Sequence, residues 1–366
     1  LKKSIIITVV ISVAIIMILI WISNPSELLE SLKRTNLNYI LLVLVLYIIN
    51  LLTKSYRWYL LVNSSGTQVS FRKTVPFYLI GLALNNITPG KIGGEPVRAY
   101  LLNKEAKVSI GQGIASIFTE KILDIIVITS MAVIGAIFII SLLTPEAGRI
   151  LILILIGVVA AIIATLVIVS HSTLLKKTVD KSVNFAKKVS DSSFTEKLSQ
   201  ALVGFVDKYR LGMKEILKAK RTASACIVLT VIIWINEALR LFIILLALPD
   251  VNHAGIGAVF IASSIANILA LALPFGAGHI LGIETVLIAL GLDPVYAGAA
   301  SILHVATSLW ISVPLGAAAM VITGFKFSKI GRATNGLTSK SSISNPQEKK
   351  ENLPHERNEK NTAPPK

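Results

Sequence analysis

Cysteine occurs once in this chain, at position 226, so no intrachain disulfide can brace it. Charge is also scarce. Asp, Glu, Lys and Arg make up 15% of the 366 residues, where a soluble domain carries roughly 25%. That scarcity argues against an ordinary soluble domain. Acidic residues are the rarer sign, 20 against 36 Lys and Arg, for a formal net charge of +16. The basic excess builds no nucleic-acid-binding motif, and no nucleic-acid partner is expected. It falls between apolar runs and in the tail, where basic loops face anionic lipid. No P-loop or nucleophile elbow occurs, and Gly111-Gln112-Gly113 lacks the strand a dinucleotide fingerprint needs. His279, His304 and Glu284 match no metal-ligand spacing. Neither a metal nor another cofactor is expected, and ordinary polar packing or proton relay is the simpler role for the histidines.

Apolar residues are abundant: 54% of the chain, with a mean hydropathy of +0.73. They gather into runs of membrane-spanning length, about 20 residues each. The clear spans are 4–22, 39–62, 110–140, 149–170, 222–248 and 294–324. The first follows Lys2 and Lys3 and leads into Asn24-Pro25-Ser26-Glu27, not a small-residue cleavage site, so it reads as an anchored span. Two further runs, 77–87 and 254–273, end in Gly/Pro-rich breaks followed by apolar stretches, 97–102 and 283–290, too short to cross as helices. Irregular backbone at membrane depth survives only where protein or a wet cavity satisfies it.

Loop charges assign sides. Lys2, Lys3, Arg72, Lys73, Lys104, Lys107 and the Lys-rich connector 171–221 read as cytoplasmic; Pro145-Glu146, Asp250 and Asp293 read as outside. Each broken segment then starts and ends on one side. The expected fold is an all-α integral membrane protein, a polytopic bundle of two inverted-topology repeats, each with a re-entrant broken-helix hairpin. The halves run about 1–140 and 149–324, within one membrane domain, 1–325. Leu82-Ala83-Leu84, Gly93 and Glu95 recur at a constant offset as Leu271-Ala272-Leu273, Gly282 and Glu284. Inverted repeats with broken helices are a transporter signature. The connector has two readings, an amphipathic helix on the cytoplasmic leaflet or a soluble helix pair. The tail 326–366 is basic, polar and poor in apolar residues, so disorder is expected there. N- and C-termini are expected in the cytoplasm, in the cell membrane.

The breaks carry the first candidate site. Pro89, Gly90, Gly93 and Gly94 let the chain turn and leave amides free, and Pro96 suits a helix start. A half-helix beginning there offers unpaired N–H groups and a partial positive charge to an anion such as phosphate. Gly278, Gly282 and Glu284 repeat the pattern in the second break. The alternative role for these glycines is a tight helix–helix corner. Charged residues also lie within spans: Lys54 and Arg57, then Glu120, Lys121 and Asp124, then Glu237 and Arg240. Each costs at least about 2.5–3.5 kcal/mol at the bilayer centre unless paired or wet. Spacings of three or four put each set on one helix face. Lys54 and Arg57, near a span end, have snorkelling to the interface as an alternative.

Pro89-Gly90-Lys91-Ile92-Gly93-Gly94-Glu95-Pro96-Val97-Arg98, then Glu120-Lys121-x-x-Asp124, then the 276–284 break, resemble the lysylphosphatidylglycerol synthase transmembrane-region family, the flippase-like domain. The resemblance covers about residues 1–325. It departs at Lys121, where Arg is usual, and at the second break, which usually holds more glycine. Family members with a C-terminal synthase domain attach an amino acid to a lipid. Only a polar tail follows Gly324 here, so the resemblance implies lipid translocation and not that enzymatic transfer. The expected partner is a membrane lipid with an anionic head, a phospholipid or polyprenyl-phosphate. Arg57, Arg98, Arg240 and the half-helix N-termini would hold the head, with Glu95, Glu120, Asp124 and Glu237 neutralising charge or exchanging protons. Two alternatives stand: a secondary transporter of a small anionic solute, and a membrane scaffold acting through tail and connector.

Overall fold

The computed structural model describes residues 24–64, 68–88, 91, 93–140, 218–249 and 255–325, with isolated positions elsewhere. The expected span 4–22, span 149–170, the connector 171–221 and the tail fall largely or wholly outside these residues. The described secondary structure is helical: α1 Pro25–Lys33, α2 Leu37–Asn63, α3 Phe71–Ile87, α4 Gly94–Ala106, α5 Ile110–Ile139, α6 Lys220–Ala247, α7 Ile256–Ala272, α8 Ala277–Ala289, α9 Pro294–Ala306 and α10 Leu309–Ile322.

Local chemistry sets the helix ends. Asn36 caps α2 by accepting from the Asn38 N–H. Ser109 and Gln112 form a reciprocal capping box at α5. Asp293 caps α9 ahead of Pro294, whose missing N–H costs nothing in the first turn. Lys107 closes α4 in the left-handed region.

Four stretches among the described residues are long and apolar enough to span a bilayer: Leu37–Asn63, Ile110–Phe138, Lys220–Ala247 and Pro294–Ile322. Their outer faces carry Leu41, Leu42, Ile49, Leu52, Ile227, Val228 and Ile232, all exposed. Such a surface suits acyl chains and would be costly in water. Facing inward, Leu241, Ile244, Ile283, Leu287 and Ala300 anchor an apolar core shared by α6, α8 and α9. The 13-residue α4 and α8 are about 20 Å long at 1.5 Å per residue, short of a hydrocarbon layer of about 30 Å.

Packing pairs come in matched sets. α3 lies on α4 and α7 on α8; α4 lies on α5 and α8 on α9; α2 meets α3 and α5, while α6 meets α7 and α9. Between the two sets, α3 packs on α10, α7 on α5, and α2 on α6.

Three elements differ from expectation. The second break lies at 273–276, because Phe275 and Gly276 take positive φ, 59° and 87°, and α8 starts at Ala277. Gly278 and Gly282 lie inside α8, where a Cβ would come within 2.5 Å of Ala270 and Ala266 backbone atoms. They form a small-residue stripe for close packing on α7. Gly93 caps α4 while Gly282 is well inside α8, so the constant-offset identities do not mark equivalent positions. The expected span 294–324 is present as Pro294–Ile322 but is interrupted at Thr307 and Ser308, whose hydroxyls donate back to the Leu303 and His304 carbonyls at 2.7 and 2.6 Å. In α4, Pro96 is the third helical residue and not the first, still within the turn that needs no N–H partner.

Candidate functional site

The α3–α4 hairpin is held by close backbone approach. A Cβ on Gly94 would sit 1.9 Å from the Gly81 carbonyl oxygen. The sequence suggests free amides at this turn, yet two are used internally: Gly94 N–H donates to Asn85 Oδ1 at 2.7 Å and Gly93 N–H to Thr88 Oγ1 at 3.1 Å. Asn85 turns its amide nitrogen to Glu95 Oε1 at 3.0 Å. Pro89 and Gly90 lie outside the described residues. The second break touches the last turn of α3, with Phe275 N–H donating to the Asn86 carbonyl at 3.0 Å. Asn86 Nδ2 reaches Ser312 Oγ on α10 at 2.7 Å.

A tight charge cluster sits beside this hairpin. Arg57 of α2 forks Asp124 of α5, Nη1 to Oδ1 at 2.6 Å and Nη2 to Oδ2 at 3.0 Å. It also donates to Thr230 Oγ1 at 2.9 Å and lies 3.4 Å from Glu120. Trp234 Nε1 donates to the same Asp124 oxygen at 2.8 Å. Arg98 of α4 donates to Glu120 Oε2 at 2.6 Å, with its Cζ 4.1 Å from the Trp58 ring centroid and 4.6 Å from that of Tyr78. Glu95 lies 3.5 Å from Arg98 and 3.0 Å from Lys121. Bidentate and charge-assisted bonds of this length are the strong kind, and they tie α2, α4, α5 and α6 together.

A looser cluster continues along α2 and α6. Asn50, Lys54 and Arg57 share one stripe of α2. Glu237 of α6 is approached by four donors, each at the long end of contact: Arg240 at 3.3 Å, His304 at 3.4 Å, Asn50 at 3.5 Å and Lys54 at 3.6 Å. The Arg240 guanidinium carbon lies 4.6 Å from the Tyr47 ring centroid, and none of its three nitrogens has a hydrogen bond. Lys91 Nζ is 3.1 Å from His279 Nε2, and the His279 and His304 rings are 6.1 Å apart. Lys54 joins the clusters, its ammonium 5.7 Å from the Trp234 ring centroid.

The structure therefore gathers Arg57, Glu95, Arg98, Glu120, Lys121 and Asp124, and sets Glu237 and Arg240 one step away. Glu284 is buried on α8, while Gly278 and Gly282 serve the α7–α8 contact. Sequence reasoning did not single out Asn50, Tyr78, Asn85 and Trp234. Their signal was a polar or aromatic residue repeating at helical spacing beside the charged ones. Accessibility divides the network: the side chains of Arg57, Arg98 and Arg240 are at most 2% exposed, whereas Lys121 keeps 41% and Lys54 17%. The lysines, with Glu95, form the more exposed rim of the network. Five cations, Lys54, Arg57, Arg98, Lys121 and Arg240, pair with Glu95, Glu120, Asp124 and Glu237. Among the described residues no three His, Cys, Asp or Glu gather as metal ligands.

Comparison with known proteins agrees along the membrane part. A UPF0104 membrane protein of Methanothermobacter thermautotrophicus is 28% identical over 336 residues, 88% of this chain and 96% of the relative. Another, from Pyrococcus horikoshii, is 26% identical over 318 residues, covering 84% and 94%. A third, from Methanocaldococcus jannaschii, is 28% identical over 308 residues, covering 81% and 88%. The family model described as the lysylphosphatidylglycerol synthase TM region matches residues 7–316. With its charged core set among apolar helices and most of its length matched, the chain belongs to the lysylphosphatidylglycerol synthase TM-region family.

Proposed function

We propose that this protein is a membrane lipid translocase that moves a lipid with an anionic head, a phospholipid or polyprenyl-phosphate, between leaflets. The observation that carries the reading is the accessible rim of Lys121 and Lys54 on a charged core wrapped by apolar helices. A charged head can enter such a core while its acyl chains stay in the bilayer. The two lysines are cations, which favours an anionic partner. The proposed process is transport, without covalent transfer to the lipid.

The matched packing pairs support two inverted repeats: α2, α3–α4 and α5 correspond to α6, α7–α8 and α9–α10. In this reading α3–α4 and α7–α8 are re-entrant hairpins entering from opposite sides, and alternation of the halves about the α2–α6 contact exposes the core to each leaflet in turn. The Lys and Arg distribution supports cytoplasmic termini in the cell membrane.

Reconstitution with two substrate sets tests the proposal. Proteoliposomes carrying head-labelled anionic lipids should lose leaflet asymmetry faster than protein-free ones, and labelled inorganic phosphate should not accumulate. Phosphate accumulation without lipid movement would replace the proposal with solute transport. Movement of neither would favour the scaffold.

A further inference from the structure

The Glu237 cluster is built unlike the rest of the core. In the first cluster each carboxylate has at least one partner at 3.0 Å or closer. Around Glu237 none is closer than 3.3 Å. Four donors share two oxygens: Arg240 and His304 face Oε1, Lys54 and Asn50 face Oε2. Arg240 is fully buried with Nε, Nη1 and Nη2 all lacking hydrogen bonds. A guanidinium carries five N–H donors in a fixed fork, and buried polar groups are normally bonded. Asn50 Nδ2 is held more closely by the Ile233 carbonyl at 3.0 Å and Asn236 Oδ1 at 2.9 Å, but the N–H groups of Arg240, Lys54 and His304 together still outnumber the roughly four acceptor positions of one carboxylate. A phosphate, with more oxygens set tetrahedrally, meets such a set better, and the arginine fork matches phosphate bidentately.

We propose that Arg240, Lys54 and His304 form a phosphate-binding site, which the Glu237 carboxylate occupies as an internal stand-in in this state of the protein. The ligand is a phosphate mono- or diester. The proposal deepens the translocase reading and rests on it for the lipid that delivers the phosphate. Arg240, Glu237 and His304 side chains are nearly sealed, at 0%, 8% and 3% exposed. Lys54 keeps 17% and stands at the entrance. A phosphate arriving along Lys54 displaces Glu237 from its donors. When it leaves, Glu237 closes over Arg240 again, so the cation is never without a counter-charge. Exchange is easy because the contacts that must break are all long.

The test uses the full chain in neutral detergent, with dodecyl phosphate and inorganic phosphate as probes and thermal stabilisation against probe concentration as the readout. Ligand that binds the native state raises the unfolding temperature in proportion to its affinity, and each variant's unprobed transition reports folding. Glu237→Gln keeps the shape and removes the competing charge, so it should bind dodecyl phosphate at least about fivefold more tightly than wild type. Arg240→Gln should bind it at least about tenfold more weakly. Equal or weaker binding by Glu237→Gln, or wild-type binding by folded Arg240→Gln, overturns the proposal. Should Arg240→Gln not fold, Lys54→Gln replaces it, and wild-type affinity there has the same force. Inorganic phosphate binding as well as dodecyl phosphate, with the same variant order, supports the site and removes the lipid from it. Lipid movement in liposomes with neither probe bound overturns the site and leaves the translocase reading standing.

Discussion

Arg98 is one of the three arginines that the sequence offers as head-group ligands, and in the structure protein groups hold its guanidinium. Its guanidinium is 2% exposed, bonds Glu120 at 2.6 Å, and lies over Trp58 and Tyr78. Arg98→Met removes the charge at similar length. Glu120, itself 2% exposed, is left with Arg57 at 3.4 Å and Tyr78 Oη at 3.5 Å. Removing one partner of a buried ion pair costs about 3–5 kcal/mol, and losing the ring contacts adds about 1–2 kcal/mol. Unfolding in detergent, followed by circular dichroism, should move down by on the order of 10 °C. Pairing Arg98→Met with Glu120→Leu removes both charges and should recover much of the loss, because an apolar pair often replaces a buried ion pair at little cost. The coupling read from this cycle should be strongly favourable to the native pair. If Arg98→Met unfolds at the wild-type temperature yet abolishes lipid movement, the guanidinium acts on substrate and the reasoning fails.

Gly94→Ala should destabilise the protein by about 1–3 kcal/mol or prevent folding, since its Cβ would meet the Gly81 carbonyl at 1.9 Å; a wild-type unfolding curve would remove the close hairpin contact. In a Cys226→Ser background, cysteines replacing Lys73 and Lys104 should label from the cytoplasm, and cysteines replacing Asp250 and Asp293 from outside. Opposite accessibility within either pair would turn that hairpin into an ordinary span. Truncation after Ser328 should leave lipid movement intact, as the removed residues have no apolar pattern; its loss in a folded truncated protein would move the activity towards the tail.

The spans 39–62, 110–140, 222–248 and 294–324 were legible because their apolar runs are long, and the first helix–turn–helix because Gly93, Gly94 and Pro96 suit a helix start after a turn. The charged pairs were legible as costly residues at helical spacing, such as Glu120 and Asp124. The division of labour among them was not. Arg57, Arg98 and Arg240 look alike in sequence, and only tertiary distances separate a forked, ring-covered arginine from one without a hydrogen bond. Capping of Gly93 and Gly94 by Thr88 and Asn85 is likewise a consequence of hairpin closure. The second break was displaced because Gly278 and Gly282 look like turn residues. Their spacing of four, opposite Ala266 and Ala270, is the readable sign that they are packing residues inside a helix. Phe275 in the left-handed region carries no sequence signal, since a bulky residue there is rare.

The central claim is that the accessible lysine rim handles an anionic lipid, and Lys121 tests it most directly. Its side chain is 41% exposed and its ion pair with Glu95 is at the edge of the cluster, so Lys121→Gln should cost at most about 1 kcal/mol of stability. The measurement is the initial rate at which a head-labelled anionic phospholipid becomes accessible to a membrane-impermeant quencher, in proteoliposomes of wild type and Lys121→Gln prepared side by side. The account predicts movement well above protein-free liposomes for wild type and a loss of about tenfold for the variant, as removal of one charge-assisted contact implies. Wild-type protein no faster than empty liposomes, or a variant as fast as wild type, would contradict it.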